Sequence, residues 1–223
     1  MTGEEAHHLL NVVRIRVGEE VALLDGSGEV AQARLTAARR GEATLQVLGR
    51  QVLDLEPARA LTIACALPRS SRMDFLVEKC AELGVRRLAP MVCARSVVDP
   101  TDRQENHLRR WRRTVIEAAK QSGRTRLTEI APVVALSAVP LGPDSDTARM
   151  IASPESNAIS LAAFRATLGP KQGILALIGP EGGFTDEELS WAKAARCAAV
   201  SLGPRILRVE TAVVAVAACL LLD

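Results

Sequence analysis

Ile174-Leu-Ala-Leu-Ile-Gly-Pro-Glu-Gly-Gly-Phe-Thr-Asp-Glu-Glu-Leu-Ser-Trp-Ala-Lys193 reads as a strand, a glycine-rich loop and a helix in direct succession. Ile174-Leu-Ala-Leu-Ile178 is a short, continuous apolar run, the pattern of a strand buried on both faces. Gly179-Pro-Glu-Gly-Gly183 interrupts it. Thr185, with Glu188 three residues on, forms a capping box that opens a helix running through Lys193. A buried strand feeding a capped helix is one unit of an α/β fold with a parallel sheet.

The same alternation extends outward in both directions. Upstream, Leu61-Thr-Ile-Ala-Cys-Ala-Leu67 is a strand, and the polar loop Pro68-Arg-Ser-Ser-Arg72 follows it. Met73, Leu76, Val77, Cys80 and Leu83 recur at helical spacing until Gly84 ends the helix. Residues 88–93 form the next strand, and Leu108, Trp111 and Val115 give the next helix its apolar stripe, ended by Ser122-Gly123. Residues 150–152 are a strand and 161–168 a helix. Downstream, Ala199-Val-Ser-Leu202 is the last strand and residues 211–222 the last helix. That helix is apolar nearly all round, so it must be buried against the sheet or a second subunit.

The first fifty residues follow a different period. Residues 5–13 suit a short helix. Val21-Ala-Leu-Leu24 and Val30-Ala-Gln-Ala-Arg-Leu35 flank Asp25-Gly-Ser-Gly28, a hairpin signal. Arg39-Arg-Gly41 is a second turn before the strand Ala43-Thr-Leu-Gln-Val-Leu48. Residues 1–56 are therefore a small β-rich domain, 54–57 a linker and 59–223 the α/β domain.

Composition narrows the function. Apolar residues make up 48% of the 223, enough for a core, but aromatics are only 2% and tyrosine is absent. Base-stacking platforms built on aromatic side chains are thereby disfavoured. The net charge is only +2, yet Arg103, Arg109, Arg110, Arg112, Arg113, Arg124 and Arg126 crowd one stretch. Such a cluster is either a phosphate-binding face or a solvated helix face. Five cysteines without a C-x-x-C pair suit buried hydrophobes in a reducing compartment. The three histidines have no companions at ligand spacing, so no metal site is expected. The polar, acidic N-terminus is unlike a signal peptide, and the apolar run 212–222 falls short of the ~20 residues that span a bilayer. A cytoplasmic protein without a membrane segment is expected.

Ligands of open parallel sheets bind beyond the carboxyl ends of the strands. Two such ends are unusual here. Gly179-Pro-Glu-Gly-Gly183 exposes backbone N–H groups to a close ligand, though the same residues also suit an ordinary tight turn. It is neither a P-loop nor a Gly-x-Gly-x-x-Gly dinucleotide turn. The second end, Leu202-Gly-Pro-Arg-Ile-Leu-Arg-Val-Glu-Thr-Ala212, carries Arg205, Arg208 and Glu210 into a buried helix. Those charges need partners, and an ion pair between Arg208 and Glu210 is one solution. No serine or cysteine nucleophile has a plausible histidine base, which argues against a hydrolase.

These two loops closely resemble those of the small-subunit ribosomal RNA uridine N3-methyltransferases, the RsmE family of the SPOUT superfamily. His7-His-Leu-Leu-Asn-Val-Val-Arg14, Lys79-Cys-Ala-Glu-Leu-Gly84 and Ala118-Ala-Lys-Gln-Ser-Gly-Arg124 match as well, so the resemblance runs from residue 7 to the C-terminus. It implies a PUA-like β-barrel followed by a SPOUT domain with a deep trefoil knot, a feature that spacing alone would not suggest. It further implies a homodimer acting on 16S ribosomal RNA or the small ribosomal subunit. Three features depart from the family pattern. Only six residues precede His7, where relatives carry a leading strand, so the barrel is expected to be short at its N-terminus. Lys120 and Val209 stand where the family commonly has Glu and Thr.

The resemblance implies S-adenosyl-L-methionine as cofactor. Its contacts would come from Leu177, Ile178, Gly179, Pro180, Glu181, Gly182 and Gly183 on one side. Leu202, Gly203, Ile206, Leu207, Thr211 and Ala212 would supply the other. For methylation of uracil N3, Arg208 and Arg124 are the candidate stabilisers of the anion, and Glu181 and Glu210 the candidate proton acceptors. Either carboxylate could equally hold an arginine in place. Arg14, Arg16, Arg109, Arg110, Arg112 and Arg113 are the candidate RNA contacts, with Arg39 and Arg40 beside them. A non-catalytic RNA-binding protein on the same fold would keep the basic helix but have no need of the glycine loop.

Overall fold

A computed structural model of the chain describes residues 1–53, 55–96, 104–143 and 146–222. The chain divides into two compact units, Met1–Leu55 and Glu56–Asp223. Among the described residues no helix is long and apolar enough to cross a membrane.

The first unit begins with a short helix α1 (Gly3–His7) that passes into a π-helical turn, His8–Val12. Three antiparallel strands follow: β1 (Glu20–Leu24), β2 (Glu29–Arg39) and β3 (Glu42–Val52). The hairpin at residues 25–28 and the turn at Gly41 (φ +78°) fall where the sequence places them, while β2 and β3 run several residues longer than their apolar periods. Register shifts at Gln32/Ala33 and Leu35/Ala37 interrupt their pairing. Leu9, Leu35 and Ala43 are the buried centre. Among the described residues these strands form a three-stranded sheet of order β1-β2-β3, and Thr2 adds an isolated antiparallel bridge to Glu42 at the start of β3.

The second unit contains an eight-stranded sheet in which every recorded pairing is parallel. In chain order its elements are β4 (Leu61–Ala66), α2 (Ser70–Glu82), β5 (Arg87–Val92), α3 (Gln104–Ser122), β6 (Glu129–Ile130), β7 (Val134–Ala135), β8 (Thr147–Ala152), β9 (Ile159–Ser160), α4 (Leu161–Ala166), β10 (Gly173–Ile178), α5 (Asp186–Ala194), β11 (Ala198–Ser201) and α6 (Val209–Leu221). Across the sheet the order is β6-β5-β4-β10-β8-β11-β9, with β7 also on β5. Parallel neighbours require crossovers, and the helices supply them.

Alternation along the central strands builds two cores, one on each face. Leu61, Ile63, Cys65, Ile174, Ala176 and Ile178 pack with Met73 and Leu76 of α2, Trp111 of α3, Phe164 of α4 and Val213 of α6. Ala64, Ala66, Leu175 and Leu177 face the other way, toward Leu136, Val139, Phe184 and Ala192. The apolar α6 lies against α2, α4, β4 and β10. β11, by contrast, sits on the far side of β8. The segment joining them, residues 202–208, therefore passes back across the carboxyl ends of the strands.

Candidate functional site

Three strand ends, those of β8, β10 and β11, open on one cleft. Residues 152–154, 178–184, 202–207 and Ala212 line it around a volume of about 320 Å³. That is small-ligand size, and a site beyond the carboxyl ends of a parallel sheet is where the fold leaves room for one.

The glycine loop has its shape for local steric reasons. A Cβ on Gly179 would stand 2.8 Å from the Phe184 ring, so only glycine lets that ring close over the strand end. Gly183 adopts φ +73° as its N–H closes a turn on the Pro180 carbonyl at 2.8 Å. The next element fixes the loop's exit: the Thr185 Oγ1 accepts from the Glu188 N–H (3.3 Å), and Glu188 Oε2 accepts from the Thr185 N–H (2.9 Å). The other oxygen of Glu188 accepts from the Ala94 N–H at 2.8 Å, tying the capping box to the end of β5. From the same segment Arg95 donates to the carbonyls of Gly182 (2.8 Å) and Phe184 (3.3 Å).

The second wall is laid out by Gly203 at φ +104° and by the start of α6, whose N-cap residue is Arg208. Here two carboxylates converge on one guanidinium. Arg72, in the first turn of α2, lies 3.7 Å from Glu181 Oε1 and 3.6 Å from Glu210 Oε1. Glu210 is buried, and its Oε2 has no hydrogen-bond partner. Arg72 is the residue that sequence reading missed, because a polar loop before a helix gives no sign of what it will touch.

Most residues expected to hold a cofactor line the cleft: Ile178, Gly179, Pro180, Glu181, Gly182, Gly183, Leu202, Gly203, Ile206, Leu207 and Ala212. Two do not. Leu177 is fully buried in the opposite core, because successive strand residues face opposite sides. Thr211 is exposed and lies off the lining. A third wall, residues 152–154, was not anticipated, although it follows a strand that the sequence marks clearly. Arg205 joins the lining as well.

The four candidate catalytic groups separate. Glu181 and Glu210 share Arg72, so the expected pairing of Glu210 with Arg208 is replaced by one from a different helix. Arg208 is exposed beside the cleft loop. Arg124 is corrected from a catalytic to a structural residue. It is buried, its Nε and Nη2 donate to both oxygens of Glu56 (3.0 and 2.7 Å), and its Nη1 donates to the Ala81 and Val85 carbonyls and to Thr128. These contacts hold the guanidinium in the interior, and Arg124 is not among the residues that line the cleft.

Among the candidate RNA contacts, Arg109, Arg110, Arg112 and Arg113 are exposed on α3, and Arg110 is ion-paired to Asp74. Arg14 and Arg16 are exposed in the first unit, as are Arg39 and Arg40. Arg103 lies outside the described residues. Burial pushes the Cys65 and Cys93 thiols up to about 12 and that of Cys197 up to about 11.

Residues 55–221 match the family model for an RNA methyltransferase domain, and residues 1–48 match that for an RNA methyltransferase PUA domain. The chain is 34% identical over 213 residues to the ribosomal RNA small subunit methyltransferase E of Synechocystis, spanning 95% of this chain and 69% of that one. The chain belongs to the ribosomal RNA small subunit methyltransferase E family. The Bacillus subtilis member is 30% identical over 217 residues, covering 95% and 85% of the two chains. A Neisseria gonorrhoeae member, solved bound to S-adenosyl methionine, superposes with a TM-score of 0.85 at 33% identity over 98% of this chain and 88% of that one. Family membership accounts for both units and for the presence of a cleft at the strand ends.

Proposed function

We propose that this chain is an S-adenosylmethionine-dependent methyltransferase that modifies N3 of a uridine in 16S ribosomal RNA. The observation that carries the reading is the cleft itself: three strand ends supply a backbone-rich wall in a protein whose relatives are ribosomal RNA methyltransferases. The donor set suits the cofactor. Ile178, Leu202 and Leu207 offer apolar surface to a flat base. Glu181 and Arg205 offer opposite charges to an amino-acid zwitterion, and Gly182, Gly183 and Gly203 leave backbone polar groups within reach. The sulfonium supplies an activated methyl group, so the protein's own task is alignment and charge management.

Uracil N3 carries a proton at neutral pH and becomes nucleophilic only when that proton leaves. In this reading Glu181, which lines the cleft, or Glu210 receives it, and Arg208, exposed just after the cleft segment 202–207, stabilises charge on O2 and O4. Substitution Arg208→Ala is expected to leave cofactor affinity near wild type and to abolish turnover; single-turnover methylation at the wild-type rate contradicts that role. The base must be unpaired or flipped to reach such a cleft.

The first unit and the arginines of α3 serve RNA docking in this reading. Residues 1–56 and 59–223 act as the docking and catalytic domains. The return of the chain from β11 to α6, with Ala212 beside residues 178–184 in the cleft wall, supports a C-terminal trefoil knot. In this reading the protein acts as a homodimer. The protein works in the cytoplasm, where ribosomal subunits are assembled. Calorimetric titration with S-adenosylmethionine tests the cofactor assignment: saturable binding is expected, weakened by Gly179→Ala. No heat of binding, or binding of a nicotinamide dinucleotide instead, overturns it.

A further inference from the structure

Arg72 belongs to neither cofactor loop, yet it is the point where the two loops meet electrostatically. Glu181 comes from the loop after β10 and Glu210 from the first turn of α6. Arg72 reaches both from α2, which follows β4, the strand beside β10. The helices are held in place for this, since α2 packs directly on α6. We propose that Arg72 is a positioning residue, an electrostatic clasp that holds the two walls of the cleft at the spacing the cofactor needs. This inference rests on the reading of the cleft as a cofactor site.

The geometry carries the argument in two ways. First, the separations of 3.6 and 3.7 Å are ionic contacts without hydrogen bonds, longer than the roughly 2.7–2.9 Å of a closed charge-assisted bond. The clasp has room to tighten when the walls draw together on a ligand. Second, Glu210 is a buried residue, and its Oε2 is out of contact with solvent and has no partner. A buried carboxylate oxygen without a donor is costly, and a guanidinium with five N–H groups in a fixed fork is suited to supply one by a small shift. Lysine at this position would keep the charge but lose the fork.

The test is a binding cycle read by calorimetry with S-adenosylhomocysteine, so that no turnover is involved. Arg72→Ala is expected to weaken binding about tenfold, and Arg72→Lys to recover part of that loss. On a background carrying both Glu181→Gln and Glu210→Gln, Arg72→Ala is expected to change affinity by less than about twofold, because its partners are already gone. Wild-type affinity in Arg72→Ala overturns the inference. So does a full tenfold loss that persists after both carboxylates are neutralised, which would mark Arg72 as a packing residue. If Arg72→Ala does not fold, Arg72→Lys and the two glutamine variants complete the comparison: additive losses contradict the clasp and coupled losses support it. Absence of binding by the wild-type protein overturns the cofactor reading itself, and is seen before any variant is compared.

Discussion

Arg124 shows how far a side chain's role depends on what the chain brings to it. It stands in a basic stretch, but Glu56, 68 positions away, claims two of its nitrogens. Breaking a buried, hydrogen-bonded pair by truncating one partner costs about 3–5 kcal/mol, because the other charge is stranded. Arg124→Ala is therefore expected to lower the urea stability of the second unit by that order, and a loss below about 1 kcal/mol contradicts the structural assignment. The buried thiols give a second expectation at this scale. Their folded values, about 12 for Cys65 and Cys93, lie above the ordinary 9.0. The folded state thus holds protons that the unfolded state has released, and stability falls as pH rises from 9 toward 12. Urea midpoints measured across that range should drop, and Cys65→Ala should flatten the drop; an unchanged slope contradicts it. Gly179 was legible from the sequence as a close-approach position. Arg72 was not, since nothing in Pro68-Arg-Ser-Ser-Arg72 signals two carboxylates more than a hundred residues away.

Elements were legible in proportion to their period. The strands β4, β5, β8, β10 and β11 and the helices α2, α3, α4 and α6 carry apolar runs or stripes that can be read, and α5 is announced by the capping box at Thr185 and Glu188, which is present as expected. The strands β6, β7 and β9 are two residues each and have no period to read. Loss of the cap by Thr185→Ala should cost about 1 kcal/mol in a denaturant titration. It should also loosen the Gly179–Gly183 loop, because Glu188 is tied at once to Thr185 and Ala94. The exposed arginines of α3 make a separate prediction. If Arg109, Arg112 and Arg113 meet phosphates, each replacement should flatten the salt dependence of RNA binding by roughly 0.7–0.9 in log–log slope. An unchanged slope makes them a solvated face.

At the scale of the whole molecule, alternation of strand and helix announced a parallel sheet, and pairing made it eight-stranded with two cores. Strand order, and with it the third cleft wall at residues 152–154, depends on which strands become neighbours, which no local pattern encodes. Strand order also explains why loops far apart in sequence share one ligand space, as β8 lies between β10 and β11. If the first unit serves RNA docking, the joint charge reversal Arg14→Glu and Arg16→Glu in the full chain should weaken RNA binding while leaving cofactor affinity unchanged. Equal RNA affinity assigns the docking elsewhere. The proposed methyl transfer to a uridine of small-subunit ribosomal RNA is tested most directly by nucleoside mass spectrometry of that RNA from cells with and without the gene. N3-methyluridine that disappears with the gene and returns on complementation is the result predicted; an unchanged N3-methyluridine level contradicts it.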